Sequence, residues 1–446
     1  MSEALNSPEA KLRRFRSYPK YKNSGVKWLG EIPEQWKFKR LKFLVSEPLA
    51  YGANEAAELI DPELPRFIRI TDIRDDGKLR DDTFRSLPRE IATPYLLKDG
   101  DLLFARSGAT VGKAFRYNPV WGIAAHAGYL IRARLDKFLI DSHFVHYFTQ
   151  SDSYWNWIRS SLIQATIQNV SAERYTNLVI PVPVLDVQRS IVSFLDRETA
   201  KIDAVIEKNE RLIELLQEKR TALITQAVTK GLDPTVPMKD SGVDWLGNIP
   251  AHWEAKRLKL ASFINMGQSP SSDIVNTSGE GLPFLQGNAD FGTEHPTAQT
   301  FCPAPLKIAE FGNVLMSVRA PVGALNLADQ KYGIGRGLCA IRPNIQILER
   351  TFCHYVLQIA RHELGGLAKG STYDAVSSSE VSCLLIPLPS IKEQRTLASF
   401  LDRETAKIDA LVAKIQEAID RLKEYRTALI SAAVTGKIDV RGEVAQ

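Results

Sequence analysis

Two long segments of the chain, at about 187–230 and 391–435, contain neither proline nor glycine. Leucine and isoleucine recur at every seventh position in the second segment and, except at Asn209, in the first. This pattern predicts helices with an apolar stripe packed against another helix. The stripe positions are Leu195, Ile202, Leu216 and Leu223 in the first segment, and Leu401, Ile408, Ile415, Leu422 and Leu429 in the second. A helix of this length needs a partner for its stripe, and the other copy is the obvious candidate.

Local signals predict where these helices start and stop. Gly231 and Gly436 follow the last apolar positions and predict the C-terminal ends. Asp186 is predicted to cap the first helix, and Ser390 with Glu393 to form a capping box on the second. About ten residues separate the first helix from the next repeated motif, a reach of roughly 35 Å. This short connection favours antiparallel packing.

The chain is a tandem repeat. The motif at 24–42 returns at 241–259 with 13 of 19 positions identical, and 194–204 returns unchanged at 400–410. The stretches between these anchors, about 45–180 and 262–386, diverge. The chain thus alternates a constant frame with two different modules, as expected if each module recognises something different.

The divergent stretches have the pattern of mixed α/β modules. Short apolar runs predict strands that end in turns at 65–73 and 101–106, and further strands at 128–133, 282–286, 313–319 and 338–342. Aromatic-rich runs predict helices at 143–148, 154–158 and 352–357. The expected fold class is therefore α+β: two mixed α/β modules separated by two long helices packed as an antiparallel coiled coil, in a tandem repeat with a pseudo-two-fold axis. Such a pseudo-dimer would match the two-fold symmetry of a DNA duplex.

Polar and basic residues in the turns of the modules are candidates for DNA contacts, because Arg pairs with guanine, and Asn or Gln with adenine, through two hydrogen bonds. For any single one, a solvated surface role is the alternative, and Arg69 and Arg106 could instead pair with Asp72 or Asp101. The candidates are Arg69, Arg74, Arg106, Ser107, Lys113, Arg116, Gln164, Gln168 and Asn169 in the first module, and Gln286, Asn288, Arg319, Arg336, Lys369, Ser371, Thr372 and Tyr373 in the second.

Composition adds little to this. A net charge of +5 permits a polyanionic partner without requiring one. The basic N-terminal stretch is either a solvated tail or an arm that contacts phosphates; its cations are Lys11, Arg13, Arg14, Arg16, Lys20 and Lys22. The four cysteines lack metal spacing, so no metal site is expected. Without an apolar membrane span or signal sequence, the cytoplasm is the expected location.

Catalytic motifs fail on inspection. The run at 118–121 lacks the second proline of the amino-methyltransferase motif, and 108–114 has neither the glycine spacing nor the hydroxyl of a phosphate-binding loop. The sequence therefore predicts a binding protein with no catalytic residues.

Taken together and in this order, the duplicated motifs resemble those of the specificity subunits of type I restriction–modification enzymes. They are the 24–42 repeat, FIRITDI at 67–73, GDLLFARSGATVGKA at 100–114, the IPVP and IPLP runs followed by Gln188–Arg189 and Gln394–Arg395, and the duplicated FLDRETAKID. Val187 and the run FLQGNADF depart from the family pattern.

The resemblance implies a non-catalytic subunit in which each module is a target recognition domain for half of an interrupted target in double-stranded DNA. The helices would set the spacer and, through their stripe residues, dock two methyltransferase subunits. Restriction and translocation subunits would join the assembly, and S-adenosylmethionine, ATP and Mg²⁺ would be bound by these partners. The implied domains are a tail (1–23), recognition domain 1 (24–183), helix 1 (184–232), recognition domain 2 (233–389), and helix 2 with its tail (390–446).

Two alternatives stay open on the sequence. The helices could scaffold proteins while the modules bind peptides, or the chain could be an autonomous methyltransferase or nuclease. Methyl transfer by the purified chain alone would favour the last.

Overall fold

The computed structural model describes residues 12, 15–56, 58–74, 77–163, 169–271, 273–368 and 375–443. They form two compact units: unit one combines residues 1–210 with 416–446, and unit two is the continuous segment 211–415. These units divide the chain differently from the five predicted segments, because each unit contains one module together with half of each long helix.

Unit one holds the first module. Its strands are β1 (Tyr21–Asn23), β2 (Glu31–Pro33), β3 (Lys37–Arg40), β4 (Ala50–Tyr51), β5 (Arg66–Ile68), β6 (Leu102–Ala105), β7 (Ala114–Arg116), β8 (Ala124–His126), β9 (Leu130–Ala133) and β10 (Val179–Val182). Its short helices are α1 (Arg89–Ala92), α2 (Ser142–Phe148), α3 (Asp152–Ile163) and α4 (Ala172–Thr176). The long helix α5 (Leu185–Lys230) starts here. The main sheet has the order β4-β9-β6-β7, β5 pairs in parallel with β8, and β3 pairs with β10.

Unit two repeats this plan. Its strands are β11 (Met238–Asp240), β12 (Asn248–Pro250), β13 (Glu254–Arg257), β14 (Ser262–Met266), β15 (Leu282–Leu285), β16 (Thr300–Cys302), β17 (Ile308–Ala309), β18 (Val314–Ser317), β19 (Leu325–Leu327), β20 (Tyr332–Ile334), β21 (Leu338–Pro343) and β22 (Leu385–Leu388). Its helices are α6 (Arg350–Ala368), α7 (Ser378–Cys383) and the start of α8 (Ile391–Val434). The order β14-β21-β18-β19 matches the sheet of unit one, and β15 is again parallel to β20. Strands β16 and β17 are additions at the edges of the second sheet in this unit.

The two long helices run antiparallel, as predicted. In unit one, Asp203 and Glu210 of α5 pair with Arg426 and Lys423 of α8 at 2.9 and 3.7 Å, so positions rise along one helix as they fall along the other. In unit two, Arg220 of α5 pairs with Asp409 of α8 at 3.0 Å. The repeat offset of 206 relates Asp203 to Asp409 and Arg220 to Arg426, so the same ion pair occurs in both units.

The predicted helix ends are correct at the C-termini and partly wrong at the N-termini. Gly231 and Gly436 have φ of 73°, the left-handed geometry that ends a helix. Asp186 is not a cap, because α5 already begins at Leu185; its carboxylate lies in the first turn. Ser390 Oγ accepts from the Glu393 N–H at 3.3 Å, but the Glu393 carboxylate accepts from Trp253 Nε1 at 3.0 Å, which replaces the reciprocal half of a capping box.

One glutamine locks each module to its long helix. The buried Gln188 donates to the carbonyls of Pro183 and Leu139, and its Oε1 accepts from the Asp141 N–H at 2.7 Å. Gln394 makes the same three bonds, to Pro389, Ile347 and Glu349. We call this arrangement the glutamine lock; it joins the start of each long helix to the loop before α2 or α6.

The two ends of the chain meet in unit one. The Asp439 N–H donates to the Arg16 carbonyl at 2.7 Å, and the Tyr21 hydroxyl donates to the Gly436 carbonyl at 3.1 Å. Phe15 and Tyr18 are buried. Residues from Phe15 onward therefore belong to the fold and are not the solvated tail that the charge pattern suggested. Lys11, Arg13 and Arg14, the other part of that prediction, lie outside the described residues.

The run at 65–73 forms a strand that ends in a turn, as predicted, although the strand is short. Strand β5 ends at Ile68, and Ile70–Asp72 form a 3-10 turn. The turn forms because Asp72 Oδ2 accepts from the Arg69 main-chain N–H at 2.7 Å.

Across the described residues, no helix is long and apolar enough to cross a membrane.

Candidate nucleic-acid interface

The same surface of the two modules can be aligned through main-chain hydrogen bonds. Arg106 N–H donates to Tyr129 and its carbonyl accepts from Val170; Val318 makes the same two bonds, to Gly337 and Val376. The position after each, Ser107 or Arg319, forms an isolated bridge to Asn169 or Ala375. Ser107 and Arg319 are therefore equivalent, as are Gly128 and Arg336, which precede Tyr129 and Gly337.

A second pair of positions follows from the parallel strands. The Ala127 N–H donates to Ile68 and the Gly335 N–H to Leu285, which makes Arg69 the equivalent of Gln286. The next turn has one extra residue in module two, but a carboxylate makes the equivalent bond in both modules. Asp72 Oδ2 accepts from the Arg69 main-chain N–H at 2.7 Å, and Asp290 Oδ2 accepts from the Gln286 N–H at 3.2 Å. The run FLQGNADF is therefore the structural counterpart of FIRITDI.

Module one presents aromatic rings around one arginine at this surface. The Arg106 guanidinium lies 4.9 Å from the Tyr51 ring centroid and 6.0 Å from that of Tyr129. The rings are 41% and 64% exposed, so their outer faces are open to solvent. Arg106 Nε and Asn169 Oδ1 are buried without a hydrogen-bond partner among the described residues. Arg106 does not pair with Asp101, which binds Arg134 at 2.7 Å instead.

Module two presents an open cleft at the equivalent place. The cleft has a volume of about 560 Å³ and is lined by Phe284, Gln286, Asn288, Arg319 and Arg336, together with Ser269, Pro270, Val275, Gly287, Ala320 and Gly337. The side chains of Arg319 and Arg336 are exposed, and no carboxylate of the described residues forms an ion pair with either. The structure thus brings together four of the eight predicted residues of this module.

Two predicted residues of module one are occupied by contacts inside the module. Arg69 binds both carboxylate oxygens of Asp72, at 2.7 and 3.1 Å, which confirms the alternative pairing. Arg116 donates to Ser142 Oγ at 2.9 Å and pairs with Asp99 at 3.1 Å. Both arginines position loops of the module. Arg74 and Lys113 are exposed.

The remaining predicted DNA contacts come after α3 and α6 in the sequence. Asn169 forms an isolated bridge to Ser107. Outside the described residues lie Gln164, Gln168, Lys369, Ser371, Thr372 and Tyr373. Their role in DNA binding stays a prediction.

Sequence reasoning missed Tyr51 and Tyr129, which flank Arg106. A signal for them was present in the sequence, because each tyrosine is adjacent to a glycine. These glycines lie in close contacts: a Cβ on Gly52 would lie 2.0 Å from the His126 carbonyl oxygen. In module two, a Cβ on Gly267 would lie 2.1 Å from the Gly335 carbonyl oxygen. Such glycines mark where two main chains touch, so residues beside them are held in place.

The stripe residues of the long helices mostly form the interior of the units. Leu195, Ile202, Leu401, Ile408, Ile415 and Leu429 are buried, and Leu216, Leu223 and Leu422 are half-buried. Exposed apolar side chains lie elsewhere on the helices. Val205 and Leu411 are 46% and 44% exposed and occupy equivalent positions of the repeat.

Within the described ranges, no three His, Cys, Asp or Glu side chains are placed to hold a metal ion. Cys339 and Cys353 are buried, and burial raises the pKa of the Cys339 thiol to about 12. A thiol held neutral in this way is a core side chain and not a nucleophile.

Comparison with known proteins gives the family. A family model described as the type I restriction modification DNA specificity domain matches residues 87–216 and 250–421. The putative type I restriction enzyme MjaX specificity subunit of Methanocaldococcus jannaschii is 30% identical over 424 residues, 93% of this chain and 96% of that protein. The EcoKI specificity subunit of Escherichia coli is 26% identical over 265 residues, 58% of this chain and 54% of that protein.

Solved structures agree. A chain from a structure titled as the basis of complex assembly and conformational transition of the type I R-M system matches with a TM-score of 0.68 at 28% identity, over 90% of this chain and 98% of that one. The HsdS subunit from Thermoanaerobacter tengcongensis matches with a TM-score of 0.51 at 27% identity, over 91% and 98%. With both modules and both long helices in place, the chain belongs to the family of type I restriction–modification specificity subunits.

Proposed function

We propose that this chain recognises a bipartite target in double-stranded DNA, with module one contacting one half and module two the other. One observation carries the proposal: the two modules share a frame but present different side chains at the equivalent surface. Ser107, Gly128 and Arg69 of module one correspond to Arg319, Arg336 and Gln286 of module two. Base contacts specify sequence, so different side chains on one frame would recognise different bases.

The long helices would set the distance between the two halves. Helices of 46 and 44 residues are about 69 and 66 Å long at 1.5 Å per residue. The glutamine lock would pass this fixed length to each module, because the module and the helix start move as one piece.

Two methyltransferase subunits would dock on the helices, and restriction subunits would join them. The repeated pair Val205 and Leu411 supports two equivalent docking places, since an exposed apolar side chain at the same repeat position offers the same contact twice. Catalysis would belong to these partners, which would bind S-adenosylmethionine, ATP and Mg²⁺. The chain itself would supply recognition and geometry.

Exchange of a module tests the proposal. Residues 45–180 are replaced by the corresponding stretch of another family member, the chimaera is co-expressed with its methyltransferase subunits, and methylated bases are mapped across the host genome. One half of the methylated sequence is expected to change while the other half and the spacer stay. A change in both halves, or in neither, contradicts modular recognition. Exchange of 262–386 is the matched control and should change the opposite half.

A further inference from the structure

The cleft of module two combines unpaired cations with amide groups and an aromatic floor. Arg319 and Arg336 line it with Gln286 and Asn288, and Phe284 lies at its base. The Arg336 N–H donates to Ser269 Oγ at 3.3 Å, which ties the turn that carries Arg336 to the facing loop. Because neither guanidinium has a carboxylate partner among the described residues, both forks remain available to a ligand.

A guanidinium can contact DNA in two ways. It can bind a phosphate, which is independent of sequence, or it can donate two hydrogen bonds to N7 and O6 of guanine in the major groove. Phosphates are present at both halves of any target, so a phosphate contact should recur in both modules.

Neither arginine recurs. Ser107 and Gly128 occupy the equivalent positions in module one, and the residue equivalent to Gln286 is Arg69, which is held by Asp72. The two arginines of the cleft are therefore a difference between the modules.

We propose that Arg319 and Arg336 recognise guanine in the half of the target bound by module two, with Gln286 and Asn288 placed for a neighbouring base. This inference rests on the proposed function and assigns one half-site to one set of residues. The amides fit adenine, whose N6 and N7 offer a donor and an acceptor side by side.

The test uses Arg319→Ala and Arg336→Ala in the full chain, co-expressed with the methyltransferase subunits. Alanine removes the guanidinium, so a lost guanine contact relaxes one position and a lost phosphate contact weakens binding at all sites. Each variant is expected to relax one guanine position, so that sites with other bases there become methylated while the opposite half stays unchanged. Arg342→Ala is the control: Arg342 lies over Phe263 at 5.1 Å, outside the cleft, and its variant should keep the wild-type pattern.

Binding to synthetic duplexes sharpens the result. Replacing the assigned guanine by 7-deazaguanine removes the N7 acceptor and should weaken binding of the wild-type complex about 10- to 100-fold. The corresponding alanine variant should be almost insensitive to this replacement.

The outcomes separate the two proposals. If the wild-type chain gives no bipartite pattern, the proposed function is wrong. If it does, but both alanine variants keep the pattern or weaken methylation equally at all sites, the arginines do not recognise guanine and only this inference is overturned. A half-site without guanine also overturns it.

Discussion

Modules one and two share a main-chain frame but place their arginines in different surroundings. In module one, Arg106 is enclosed by Tyr51 and Tyr129, and Arg69 is held by Asp72. In module two, Arg319 and Arg336 project into a cleft without a carboxylate partner among the described residues. An arginine in a divergent loop is therefore structural or available according to whether a neighbouring acid or ring holds it. Residue type alone does not decide this.

The largest expected difference between the modules concerns Arg69 and its counterpart. Arg69→Ala removes the side-chain donors of Asp72, whose side chain is 1% exposed, and among the described residues leaves it only the main-chain N–H of position 69, at 2.7 Å. Breaking a buried pair in this way should destabilise unit one by about 4 kcal/mol. Amide hydrogen exchange in β6 and β9 measures the loss.

Gln286→Ala is the matched variant. The Gln286 side chain is exposed, so the variant should leave exchange in β18 and β21 within about 0.5 kcal/mol of wild type. A similar loss of stability in both variants would remove the contrast between a structural and an available position.

Breaking the glutamine lock should instead have the same effect in both units, because the lock has the same hydrogen bonds in each. Gln188→Ala and Gln394→Ala each remove three hydrogen bonds of a buried side chain, at a cost of about 3 kcal/mol. Hydrogen exchange of the loops at 136–141 and 344–349 should increase equally in the two variants. The exposed neighbours Arg189→Ala and Arg395→Ala serve as controls with effects below about 0.5 kcal/mol. Unequal losses would show that the frame is not equivalent in the two units.

A smaller, pH-dependent difference is expected at His126, whose counterpart in module two is Ile334. Burial lowers the pKa of His126 to about 4, below its usual 6.5. The neutral ring is thus favoured in the folded state, and its contribution is complete above about pH 6.5 and lost as the pH falls toward 4. Between pH 7 and pH 5 this should cost unit one about 2 kcal/mol.

His126→Ile, which copies module two, isolates this contribution. Unfolding free energies of wild type and variant are measured at pH 7 and pH 5, and the variant should lose about 2 kcal/mol less. Burial also lowers the pKa of His146 and His354 to about 4, so both proteins keep a common acid sensitivity that cancels in the difference. Equal losses in the two proteins would refute the effect.

The long helices could be predicted because the repeat carries the same sequence signals in both copies. The heptad stripe predicted the long helices, the short connection predicted their direction, and Gly231 and Gly436 predicted their ends. The Asp203–Arg426 and Asp409–Arg220 pairs confirm the direction. These features depend on local pattern and chain reach, which sequence records directly.

The site was less predictable, because it depends on contacts between distant loops. The equivalence of Asp72 and Asp290 is hidden by a one-residue insertion, and only their hydrogen bonds to Arg69 and Gln286 reveal it. Sequence alone could not distinguish Arg116, which is held by Asp99 and Ser142, from Arg319, which has no such partner among the described residues. Pairing of this kind is set by tertiary placement.

The discontinuity of unit one constrains the order in which the protein assembles during translation. Unit two is one uninterrupted segment, so all its parts have been synthesised when Ile415 leaves the ribosome. Unit one needs residues 416–446, including Asp439, which pairs with Arg16. Unit one would therefore complete its folding after unit two, although domains usually fold in order from the N-terminus during synthesis. Until α8 has been synthesised, the side of α5 that packs against α8 would be exposed in the nascent chain.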